Sequence, residues 1–209
     1  MPNAITTNAI TNGLHAFALF IYFTGALFHF LKKDAHFPLL VVLAFFVLFI
    51  LKILGVYVHY STSHLDIPFA WIAISLLAVL LNYVVIQALD MPDTARVICL
   101  FLSLLFSYLF IINTEEGNFL YAYIALSIML VYLIAAYYST SLLRVGFLMT
   151  VISNVAWMLA RQIENHLLGH EISPFYRYDN DVYHLLLIIS TFIIYKATLQ
   201  TGWKNKKST

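Results

Sequence analysis

Hydrophobic residues in this chain come in long unbroken runs, unlike the alternating or three-to-four-residue patterns of half-buried strands and surface helices. No Asp, Glu, Lys or Arg interrupts residues 1–31, 67–89, 97–114 or 117–143. Short polar breaks divide the apolar stretches into seven predicted segments, at 9–31, 38–58, 67–89, 95–112, 119–138, 145–165 and 182–200. A hydrocarbon core about 30 Å thick takes roughly 20 helical residues at about 1.5 Å each. Inside it the backbone must satisfy its own N–H and C=O groups, so runs of this length predict helices and not barrel strands. The expectation is an all-α polytopic membrane protein. A single seven-transmembrane helix bundle would occupy residues 1–209, with no linker to set off a second domain.

Charge orients the predicted bundle. Lys32, Lys33, Arg96, Arg144 and the closing Lys204, Lys206 and Lys207 fall on one side if each segment crosses once. Basic loops stay in the cytoplasm. The N-terminus is therefore expected outside and the C-terminus inside, in a plasma or bacterial inner membrane. Composition agrees with a membrane location: 62% of residues are hydrophobic and 10% charged, against about 45–50% and 25% in soluble domains. A net charge of +1 leaves no basic surface for nucleic acid. The lone Cys99 rules out a disulfide framework and a cysteine-based metal cluster.

Polar chemistry gathers on the predicted outer side. Six of the eight histidines, His15, His59, His64, His166, His170 and His184, lie there with Asp66, Glu164, Glu171, Asp179 and Asp181. Lys52 lies about 21 Å along the second segment from its inner boundary. Ionisable groups at such depths usually face a cavity or a partner, because insertion costs a few kcal/mol each. Helical spacing puts Gly55 and His59 on one face with Lys52, and Asn180 on one face with His184. His59 and His184 come to the same depth from two segments, and Asp66 opens the third at that level. Two histidines with carboxylates can hold zinc, whose bound water becomes a nucleophile near neutral pH, with Asp66 to orient it or take its proton. The alternative from spacing alone is that these side chains simply mark the outer interface.

Gly55-x-x-x-His59 closing the second segment, Asp66-x-Pro68 opening the third and Asn180-x-x-x-His184 opening the seventh resemble the CREST superfamily. That superfamily includes alkaline ceramidases and the progestin and adipoQ receptors. The run from Asp179 to His184 is also similar to a bacterial branch reading His-Asn-Asp-Leu-Tyr-His at this point. The resemblance implies a seven-helix fold around an intramembrane zinc. His59 and His184 would be ligands, Asp179 or Asn180 a supporting ligand and Asp66 the catalytic water-orienting group. The implied reaction is hydrolysis of a membrane-lipid amide or ester near the outer leaflet. Two departures matter: Gly55 stands where the family has Ser, and Asn180 where it has a zinc-binding His. They favour the competing expectation, a non-catalytic receptor, ligand-binding protein or scaffold.

Other residues carry smaller expectations. Lys196 in the last segment invites comparison with retinal proteins, but Phe192 stands where that family carries Asp. Snorkelling to the inner surface accounts for Lys196. Arg161 and Glu164, three apart, predict an ion pair. Asn82 and Gln87 predict hydrogen bonds between helices, and Trp157 and Trp203 predict packing and interfacial contacts.

Overall fold

The computed structural model describes residues 4–60, 67–115, 121–168 and 178–203. Seven α-helices and no strand occur among them: α1 (Ala4–Leu31), α2 (Leu39–Tyr60), α3 (Ile67–Ala88), α4 (Asp93–Glu115), α5 (Ala122–Tyr137), α6 (Ser141–Leu168) and α7 (Asp179–Thr201). Six are long and apolar enough to cross a membrane, while α5 is shorter. Its 16 residues rise about 24 Å.

The helices run past the apolar windows that predict them. The helix α1 starts at Ala4 and α7 at Asp179, and α6 continues to Leu168. An apolar window ends where polar side chains begin, whereas backbone hydrogen bonding continues through them. The polar side chains Asn8, Asp179 and Asn180 therefore sit on helix rather than in loops.

Helices adjacent in sequence pack side by side, and α1 against α7 closes the ring. Thr7 and Thr11 of α1 donate to the Asp181 carboxylate of α7, at 2.6 and 2.8 Å. At the far end, the ring of His36 donates from Nδ1 to Leu199 O (3.3 Å). The two helices are therefore parallel, as the first and last members of an up-and-down ring must be.

The half of the ring holding the C-terminal end of α1 is tightly filled. Leu19, Ala26, Phe45, Val85, Leu143, Phe147, Ile194 and Ala197 are buried there, with Trp203 against Phe147. Trp203 is 4% exposed and donates to Thr198 Oγ1 (2.7 Å), so it belongs to the core and not to an interfacial belt. Hydrogen bonds tie the helices where lipid offers none. Asn82 of α3 donates to Ser103 of α4 (3.0 Å) and Ser127 of α5 (3.1 Å), as its position predicts. Outward-facing side chains are large and apolar, including Phe17, Phe69, Tyr108 and Leu159.

Basic side chains close helix ends in this same half. Arg96 donates to Leu89 O (3.2 Å) beyond α3, and Arg144 to Ala136 O (3.0 Å) in α5, offsetting the partial negative charge of helix C-termini. The turn between α1 and α2 is pinned by Asp34, which accepts from the His36 backbone N–H (2.9 Å) and lies 2.9 Å from His29 Nδ1. The His36 N–H, then the His29 side chain, holds the Asp34 carboxyl below its ordinary value. A depressed carboxyl stabilises the turn above the ordinary carboxylate range and loses that contribution as pH falls through the lowered value. The protection factor of the His36 amide, its exchange rate relative to an unstructured peptide at the same pH, should accordingly be high at neutral pH and fall as pH drops through the lowered carboxyl value. Asp34→Asn should remove that pH dependence of the protection factor.

Candidate ligand chamber

The opposite half of the ring is hollow. Six helices turn one stripe each toward a common axis, at spacings of three and four residues that keep side chains on one helix face. The stripes are Asn8 and Asn12 (α1), Leu48, Lys52 and Gly55 (α2), Trp71, Ile74, Ala78 and Leu81 (α3), Ile124, Ile128 and Tyr132 (α5), Thr150, Asn154, Trp157 and Arg161 (α6), and Asn180, His184 and Leu187 (α7). The space they enclose is about 580 Å³, within the roughly 300–1,000 Å³ of small-molecule sites. Its lining is mostly apolar. The polar side chains lie chiefly toward the ends of the helices where α1 and α7 begin.

His184 is the hub of that polar end. Asn12 Nδ2 lies 2.7 Å from His184 Nε2 and donates to Asn8 O (3.0 Å), so the nitrogen side of the amide faces the imidazole. Lys52 Nζ stands 3.3 Å from the other ring nitrogen, Nδ1, and 5.3 Å from the Tyr183 ring. Three helices, α1, α2 and α7, thus meet through one imidazole.

The Asn12 amide oxygen has no hydrogen-bond partner among the described residues and is buried beside Gly55, where a Cβ would stand 2.9 Å from it. Around the rim, Trp157 Nε1 donates to Asn180 Oδ1 (2.9 Å). Arg161 lies 3.8 Å from the fully buried Asp179 carboxylate and over the rings of Trp157 and Tyr121. Glu164, the expected partner of Arg161, accepts the Tyr178 backbone N–H (3.0 Å).

The structure therefore brings Asn180, His184, Lys52 and Gly55 to one chamber, on the faces their spacing predicts. The His59 side chain, Asp66, His64 and His170 lie outside the described residues. His166 is exposed. His15 is buried away from the chamber lining, with Nε2 3.2 Å from Thr191 Oγ1.

The described donors do not form a ready-made zinc set. Both ring nitrogens of His184 face protein nitrogens, Asn180 Oδ1 accepts from Trp157, and the Asp179 carboxylate faces Arg161. Among the described residues no three His, Cys, Asp or Glu side chains converge. Sequence reasoning missed Asn12, because an amide among the polar residues at the start of the first segment signals nothing until its partners on other helices are known. Comparison with family models, with curated proteins and with solved structures found no match.

Proposed function

We propose that this chain is a seven-span membrane protein, N-terminus outside, whose bundle takes up one lipid-like amphiphile. The polar head would lie by Asn12, Lys52 and His184, with the chain among Leu48, Ile74, Leu81, Ile128 and Leu187. The observation that carries this reading is the chamber: polar and hydrogen-bonding at one end, apolar behind, and large enough for one ligand. Orientation is supported by Lys32, Lys33, Arg96 and Arg144, which flank the filled half of the ring. The seventh span is supported by the place of α5 in the ring, between α4 and α6.

The test is to fill the space. Ala78 is 3% exposed and lines the chamber wall. Ala78→Phe should leave the protein folded and reduce retained amphiphile, counted by native mass spectrometry, from one per chain to near none. Equal retention in wild type and variant would overturn the reading.

A second reading is favoured by the imidazole at the polar end: hydrolysis of a lipid amide or ester, with zinc, as the CREST resemblance implies. His59, His184 and either Asp179 or Asn180 would be ligands and Asp66 the water-orienting group, after rearrangement of the partners described above. It expects about one zinc per chain in purified protein, lost in both His59→Ala and His184→Ala. A full complement of zinc in both variants would remove those residues from the ligand set.

A further inference from the structure

Resting on the amphiphile reading, we infer that the ligand's head couples an anion to an adjacent N–H or O–H donor, the chemistry of an N-acyl amino acid. Two unmatched groups at the polar end carry this. The first is Lys52. Its described partners are the His184 imidazole and the Tyr183 ring, neither of them an anion. The nearby carboxylates are committed elsewhere: Asp181 accepts from Thr7 and Thr11, and Asp179 faces Arg161. Among the described residues lining the chamber there is no carboxylate. A lysine at this depth is costly unless it has a partner, and a ligand carboxylate supplies one.

The second group is the Asn12 amide oxygen. Asn12 is 0% exposed, and its nitrogen is occupied by Asn8 O and His184. The oxygen is left as an acceptor without a donor, facing Gly55, whose missing side chain keeps the space in front of it open. Buried acceptors are rarely left unpaired, and among the described residues no N–H or O–H pairs with this one. Asn12 meets the imidazole at Nε2 through its amide nitrogen, and Lys52 meets it at Nδ1, so the amide oxygen and the ammonium belong to one polar end. In the inferred head the carboxylate faces Lys52, and the amide N–H, two bonds from the carboxyl carbon, faces Asn12. The acyl chain then continues into the apolar part.

Three probes sharing one acyl chain separate the components. N-oleoylglycine has anion and donor, oleate has the anion alone, and N-oleoylethanolamine has donors alone. Titrated into the detergent-purified full chain, N-oleoylglycine should bind about tenfold or more tighter than either other probe, the usual worth of one charge-assisted or buried hydrogen bond. Lys52→Met should abolish its advantage over the ethanolamide, and Lys52→Arg should restore it. Equal affinity of wild type for N-oleoylglycine and the ethanolamide would overturn the anion, and equal affinity for oleate would overturn the donor. Either result leaves the amphiphile reading standing. Binding of none of the three to folded protein would overturn both.

Discussion

Gly146→Leu should destabilise the protein by about 3 kcal/mol, the upper range for forcing extra carbons into a packed interior. At Gly146 α6 packs directly against α7. A Cβ there would stand 2.5 Å from Ile194 Cγ1 and 3.2 and 3.4 Å from the Ile194 backbone N and Cα. The side-chain contact can be relieved by rotation. The backbone contacts can be relieved only by moving α7, which breaks the bonds that hold the crossing. Ser190 of α7 donates to Gly146 O of α6 (3.0 Å), and its hydroxyl lies 2.5 Å from that of Thr150. In lipid such close crossings, with small residues and hydrogen bonds, carry association, because apolar burial is available on every side. Gly13→Ala is the internal control: nothing lies within 4 Å of a Cβ at that position, and helix propensity favours Ala by about 1 kcal/mol. Denaturant unfolding in detergent, followed by Trp203 fluorescence, should show Gly146→Leu far below wild type and Gly13→Ala at or above it. A Gly146→Leu variant as stable as wild type would mean that α6 and α7 do not cross here.

That crossing was not legible in the sequence, although the helices it joins were. Unbroken apolar runs announce helices because the bilayer allows few other structures. They say nothing about which face of a uniformly apolar helix meets which neighbour. Gly146 and Gly25 become meaningful only once Ile194 and Tyr195 are placed against them. The polar end of the chamber was partly readable for the opposite reason. Against an apolar background Lys52, Asn180 and His184 stand out, and helical spacing assigns each a face. Asn12 and Trp157 escaped because their roles are set by partners on other helices, His184 for the first and Asn180 for the second. Spacing also pairs Arg161 with Glu164 along α6. In the fold Arg161 meets the buried Asp179 carboxylate across the helix gap, and Glu164 receives the Tyr178 N–H. Local periodicity proposes the near partner; tertiary packing supplies one that is better buried.

His184→Leu should be more damaging than the loss of one side chain suggests, and Lys52→Met should partly repair it. A neutral imidazole accepts at one ring nitrogen and donates at the other, so removing it strands one hydrogen-bonding group, at Asn12 or at Lys52, and takes a close polar neighbour from the second. A buried polar group so stranded costs about 1–3 kcal/mol, and the single variant should lose at least that much. Leucine fills most of the imidazole volume, and the loss should therefore be electrostatic rather than a cavity effect. In the double variant His184→Leu, Lys52→Met, the amine is gone as well, and only the Asn12 N–H remains unmatched. Its stability should exceed that of His184→Leu alone by about 1 kcal/mol or more, a coupling expected of residues in direct contact. Denaturant unfolding of the four members of this cycle gives the coupling directly. Strict additivity would show that Lys52 and His184 act independently, with the chamber's polar end no longer a single network. A coupled result fixes the sign of the network's contribution: removal of one partner alone harms the bundle more than removal of both.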